Sequence, residues 1–282
     1  MPFGWDDLLR GILAPAVAAL LVFVIWRLLG GRGTAERVAG AQAAAAGFLV
    51  AYLLFPWTKT PPVEHWQWLP WLGLAAAATG PAAAADGARW VDRLALRLVL
   101  GLAAAWALVP TWAETRLLHV AVLGGGLVLL CLALDGLPAR VSGAALSWSL
   151  CASAGAGAFV IAVSGILSFA QLGGASAAAL GGIAVGSLLV RREMPLRGSA
   201  DVFAVLVGGV LYAGWLGGSF SRVPMVSFVL PAVAPACLWV CTARGSVNRS
   251  PLTKFATGLA AVGVPLAVAV AWAVVVEPIW AD

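Results

Sequence analysis

Ser149, Ser153, Ser164, Ser168 and Gln171 all fall within residues 141–190, a run of 50 residues without a charged side chain. Gln42 sits in a second uncharged run, residues 38–58. Hydroxyls and amides donate and accept hydrogen bonds while carrying no charge. In an apolar surrounding they suit a neutral polar or amphipathic solute, and these six are the candidate substrate-binding residues. Ser149 and Ser153 are four apart and share one helix face. The competing role is packing, because small residues let membrane helices approach and hydroxyls bond across them.

Other chemistry is thin. The 12 acidic residues lie in loops, tails and helix ends, so the buried carboxylate relay of a proton-coupled pump is not expected. Arg27 and Arg97 lie about one turn from a membrane face and can snorkel to it. His65 reads as a solvated loop residue and His119 as an interfacial one. Cys131, Cys151, Cys237 and Cys241 fall in apolar runs and read as small buried hydrophobes. Cys237 and Cys241 share a helix face, but the two further ligands of a metal site are not nearby in sequence, so no metal or cofactor is expected.

An enzyme is not expected either. The segment GGASAAALGG, residues 173–182, resembles the serine segment of rhomboid proteases. There a helix-borne serine pairs with a histidine on a later span, and no histidine follows Ser176 here. A phosphate-binding loop, an HExxH zinc pair and a carboxylate cluster are missing from the sequence.

The elements that must position these residues are membrane helices. The chain of 282 residues is 62% apolar and 10% charged, against about 25% charged in ordinary soluble domains. Ten apolar runs of near-membrane length follow one another: 11–29, 38–55, 69–85, 94–112, 117–134, 142–163, 174–190, 202–220, 226–241 and 255–276. The expected fold is all-α and polytopic, one membrane-embedded domain over residues 1–282 with the lipid bilayer as its solvent. The first run follows Asp6 and Asp7 rather than a basic segment, and reads as an uncleaved span.

The basic residues test this layout. With ten spans, one side holds Arg27, Arg32, Arg37, Arg89, Arg93, Arg97, Arg140, Arg191, Arg192, Arg197, Arg244, Arg249 and Lys254. The other side holds Arg10, Lys59, Arg116 and Arg222. The positive-inside rule then makes the odd loops cytoplasmic, with both termini outside an inner membrane. The scatter of the net charge of +5 through short loops excludes a nucleic-acid surface. Trp57, Trp66, Trp68 and Trp71 crowd the second loop, and Trp5, Trp112 and Trp280 fall at the same outer level, where indole rings favour the interface.

Fifty residues of helix measure about 75 Å and two crossings use about 60 Å. About ten residues, near 164–173, remain for a connection. It is either a short interfacial turn or a segment that dips into the membrane and lines a cavity. Gly80-Pro81, Pro231, Pro235 and Pro265 interrupt spans and should kink them.

A weak internal repeat is visible. GAQAAAAG at 40–47 resembles GASAAALG at 174–181, Trp106 corresponds to Trp239, and AVLGGGL at 121–127 resembles AAVGVPL at 260–266. Halves 1–140 and 141–282 would be inverted five-helix repeats, a common transporter plan. On span count alone this layout resembles the drug/metabolite transporter superfamily, from which the expected outside termini depart. The sequence therefore points to a permease for a small uncharged or amphipathic solute, alone or in a homo- or hetero-oligomer. The alternative is a non-catalytic scaffold subunit of a membrane complex.

Overall fold

The computed structural model describes residues 4–30, 32–85, 87–189, 196–218, 221–242 and 251–277. Trp280 and the basic residues 191, 192, 244 and 249 lie outside them. All regular secondary structure among the described residues is helical, with no strand. In chain order the helices are α1 Trp5–Leu29, α2 Arg32–Leu54, α3 Leu69–Ala83, α4 Trp90–Leu108 and α5 Arg116–Asp135. They continue with α6 Gly143–Val163, α7 Leu167–Leu189, α8 Ser199–Gly217, α9 Met225–Val233 and α10 Pro251–Val276. A 3₁₀ turn, His65–Trp68, leads into α3, and α9 runs on as a 3₁₀ helix over Ala234–Thr242.

Seven of these helices, α1, α2, α5, α6, α7, α8 and α10, are long and apolar enough to cross a bilayer. The chain is therefore a multi-pass helical membrane protein. The other three fall short for separate reasons. α3 has 15 residues, α4 carries Asp92, Arg93 and Arg97, and α9 is helical only over Met225–Val240 at this apolarity.

Of the two forms expected for the connection between α6 and α7, a turn or a dipping segment, the turn is present. It is Ser164–Gly165–Ile166, and Gly165 has φ +87°. α7 already begins at Leu167, so Ser168 and Gln171 are helical rather than part of a loop. Glycine weakens an isolated helix, but packing overrides this at Gly173. A Cβ there would lie 2.9 Å from that of Ala158 on α6. The glycines that suggested a longer connection are contact points of a close helical hairpin.

Without water between membrane helices, association rests on close packing. A Cβ at Gly47 of α2 would fall 2.6 Å from the Pro15 carbonyl of α1 and 2.7 Å from Ala179 of α7. Gly73 of α3 meets Leu206 of α8 in the same way, at 2.7 Å. α8 is the central helix: 72% of its apolar stretch is buried, against 22% for α1 and 17% for α10. It packs against α2 through α7 and against α9.

Inter-helix contacts collect at two ends of the bundle. At one end stand Arg93, Arg97, Asp135, Arg140 and Asp201, the arginine-rich end. At the other, Phe55 stacks on Trp57, Trp57 tilts against Trp66, and Trp66 meets the edge of Phe169 at 5.7 Å. Trp57 and Trp66 are thus packed into a cap over α2 and α7. Trp5, Trp68, Trp71 and Trp112 stay exposed, as interfacial anchors do.

Pro231 lies inside α9, and the change to 3₁₀ geometry follows at Ala234. Pro235 has no N–H to donate to the carbonyl one turn back, which favours the tighter winding. Pro81 stands near the end of α3, while α10 continues through Pro265 as one helix.

Candidate functional site

The two ends of α8 carry the polar chemistry of the interior, and a groove lies between them. Its floor is Gly208, Leu211, Tyr212 and Trp215 of α8. One wall is Leu123, Gly126, Leu127 and Leu130 of α5, and the other is Phe228, Val229, Ala232 and Val233 of α9. The enclosed volume is about 210 Å³, with almost entirely apolar walls. Val122, Met225 and Val229 at its lips are about half exposed, so the groove opens sideways onto the apolar surface.

Small residues create the space. Nothing lies within 4 Å of a Cβ built on Gly126, and Gly208 leaves room that a Cβ would lose to Leu127 at 2.8 Å. Beyond the groove, toward the arginine-rich end, stands Trp239, whose indole N–H donates to the Ala133 carbonyl at 2.6 Å. Its ring lies so close to Gly136 that a Cβ there would be 2.6 Å away. The Arg140 guanidinium covers the same indole at 5.0 Å.

The tryptophan-rich end is edged by polar aromatic groups. His119 Nδ1 and the Tyr212 hydroxyl are hydrogen-bonded at 3.0 Å. The Trp215 ring lies 6.0 Å from each of theirs. His119 is therefore tied into the bundle rather than simply resting at the interface. Arg116 lies over Trp106 at 4.3 Å and donates to its carbonyl.

At the arginine-rich end the structure departs from expectation. Arg97 does not snorkel, and Asp201, in the first turn of α8, is not solvated: they are 2% and 1% exposed. Arg97 Nε donates to Asp201 Oδ1 at 3.1 Å, and Arg97 Nη2 donates to Asp135. The other Arg97 terminal nitrogen, Nη1, has no hydrogen-bond partner among the described residues. Arg93 Nη1 approaches Asp135 Oδ2 at 4.0 Å, while its other nitrogens hold the carbonyls of Ala85 and Ala88. The Cys131 thiol lies beside Asp201. A buried carboxylate thus stands where a helix-end position suggested a solvated one. The cause is the turn at Leu196–Gly198, which folds over α3: Gly198, at φ +83°, fits against the Gly80–Pro81 backbone.

The six candidate residues from sequence do not converge on this groove. Gln42 accepts a hydrogen bond from Trp26 of α1 at 2.7 Å. Ser149 donates to the Leu146 carbonyl of its own helix and Ser164, just past the end of α6, to the Ile161 carbonyl, both at 2.7 Å. Ser153 is fully buried, with no partner for its hydroxyl among the described residues. Ser168 and Gln171 are half-buried on the first turns of α7. Ser149 and Ser153 share a buried face of α6, and Gln42 stands apart on α2.

No family model, curated protein or solved structure matches the chain.

Proposed function

We propose that the protein is an inner-membrane permease for a small uncharged or amphipathic solute, and that the α5–α8–α9 groove is its binding site. The observation that carries this reading is an apolar space of about 210 Å³ between three helices, lined at one end by Tyr212 and Trp215, with His119 hydrogen-bonded to the Tyr212 hydroxyl. An apolar cavity of about 150 Å³ holds benzene. The groove therefore suits a single ring with one polar substituent, its ring among the aliphatic walls and its polar atom at the Tyr212 hydroxyl.

The reading takes all ten helices as crossings, with the arginine-rich end cytoplasmic and both termini outside. Lengths support it. α9 with its 3₁₀ extension has nine residues of each type and spans about 31 Å at roughly 1.5 and 2.0 Å per residue. α3 with its leading 3₁₀ turn reaches about 30 Å and α4 about 28 Å by the same rises. Inverted halves, 1–140 and 141–282, are supported by matched pairings: α1 on α2 with α6 on α7, and α4 on α5 with α9 on α10. α3 on α8 and α2 on α7 join the halves. α1 packs extensively on α7, with no comparable packing of α6 on α2 among the described residues.

The test is uptake of radiolabelled 4-hydroxybenzyl alcohol by proteoliposomes of the full chain, against empty liposomes. A Cβ at Gly126 meets nothing within 4 Å, so Gly126→Leu adds bulk beside the groove, and uptake should fall at least tenfold with an unchanged melting temperature. Wild-type uptake no greater than that of empty liposomes, or a Gly126→Leu protein as active as wild type, overturns the reading.

A second reading, the scaffold subunit, is favoured by the dense packing of α1, α2, α6 and α7 around side chains bonded to nearby backbone carbonyls. Under it Gly126→Leu is silent.

A further inference from the structure

We infer that Asp201 is a proton-binding site, and that its protonation releases Arg97 and unties α4 and α5 from α8 at the arginine-rich end. The inference does not need the groove to carry a solute.

An ionisable side chain buried at membrane depth is expensive and marks function by default. Here the placement is specific. Arg97 of α4 bridges two carboxylates, Asp135 of α5 and Asp201 of α8, so a single guanidinium ties three helices. The bridge is incompletely satisfied, because Arg97 Nη1 is buried and unpartnered among the described residues. A half-satisfied buried network is held weakly against rearrangement. The two carboxylates also differ in access. The Asp135 side chain is 28% exposed and the Asp201 side chain 1%. Asp135 is thus the accessible side of the cluster, and Asp201 is the acceptor behind it.

The charges around Asp201 are few. α4 contributes Arg97 and, further out, Arg93; α5 contributes Asp135 and the Cys131 thiol. α3 meets it through Gly80 and has no ionisable residue. α2 approaches with the Arg37 carbonyl beside Gly198, and the Arg37 side chain turns back to Gly33. Arg197, in the adjoining turn, has an interaction of its own. Two cations and two carboxylates make the cluster neutral as it stands. Adding a proton to Asp201 leaves it one positive charge in excess inside the bundle, and the relief is for Arg97 to move toward Asp135 and water. No covalent bond changes in the protein framework: a proton from bulk water adds to a carboxylate oxygen, and one N–H···O contact is lost.

Cys131 reports the opening, because it is 2% exposed and lies directly behind Asp201. In the full chain, Cys151, Cys237 and Cys241 are replaced by alanine, and Cys131 is labelled with N-ethylmaleimide in detergent. Each rate is divided by that of the same protein unfolded in dodecyl sulfate at the same pH, which removes the ionisation of the thiol itself. The normalised rate should rise at least tenfold from pH 8 to pH 5. Asp201→Asn should label at the fast rate at both pH values.

A second protein that keeps only Cys151, in the α6–α7 hairpin, should show no such rise. A flat wild-type profile overturns the inference, as does an equal rise at Cys151 or an Asp201→Asn protein as slow as wild type. If Asp201→Asn does not fold, Asp201→Glu replaces it and must move the midpoint of the rise; an unmoved midpoint overturns the inference. A negative uptake assay leaves this profile standing, and a flat profile leaves the uptake result standing.

Discussion

The two ends of α8 solve the same problem by opposite means. Asp201 at one end is held by the Arg97 guanidinium at 3.1 Å, and Tyr212 at the other by the His119 imidazole at 3.0 Å. The first joins α8 to α4 and α5, while the second joins it to α5 alone. The groove lies against the aromatic end, at Tyr212 and Trp215, while Trp239 packs against α5 near the charged end. A helix tied by charge at one end and by aromatic contact at the other differs in what loosens each tie: a proton acts on the first and not on ring packing. The difference teaches which end of α8 answers to pH.

Four substitutions sharpen or break this contrast. Arg97→Leu has the largest expected effect, because it leaves Asp201 charged and buried with no counter-charge. Breaking a buried pair by removing one partner costs about 3–5 kcal/mol, to be read as lost stability in thermal or denaturant unfolding of the detergent-solubilised protein. Combining it with Asp201→Leu should restore most of that loss, since an apolar pair of similar volume is tolerated. If the double variant is no better than the single one, the tie is not electrostatic.

Tyr212→Phe removes one neutral hydrogen bond and should cost about 0.5–1.5 kcal/mol in the same assay. A cost equal to that of Arg97→Leu would erase the distinction between the ends. The smallest effect lies outside the helices. Burial lowers the His65 imidazole below its ordinary value of 6.5, with the Glu64 charge opposing. A histidine depressed by folding contributes stability that is full above about pH 6.5 and lost as pH falls through the lower folded value. The melting temperature should therefore dip slightly in acid, and His65→Gln should remove that portion of the dip. It should leave the larger pH response at Asp201 intact.

Much of the architecture was legible because apolar length and turn residues are local properties. The helical runs fall where hydropathy puts them, and Ser142 caps α6 by accepting from the Ala145 N–H. The α6–α7 turn was harder. Gly165 and Gly173 suggested a connection of about ten residues over 164–173, whereas the helix already begins at Leu167 and Gly173 fits closely against Ala158. The buried pair was not legible at all, since Arg97 and Asp201 are 104 residues apart and each sits near a helix end. The clue was three charged residues, Arg97, Asp135 and Asp201, at one predicted level in separate helices. The groove left a fainter trace in Gly126 and Gly208, whose roles emerge only when α5, α8 and α9 are placed together.

The span between Arg97 and its partner has a consequence for how the chain is made. Asp135 follows Arg97 by 38 residues and Asp201 by 104. At a ribosomal rate of roughly 5–20 residues per second, the guanidinium waits on the order of 5–20 s for its permanent counter-ion but only about 2–8 s for Asp135. The partly exposed carboxylate is thus the first partner of Arg97 to be synthesised, and α8, three helices after α5, completes a contact begun without it.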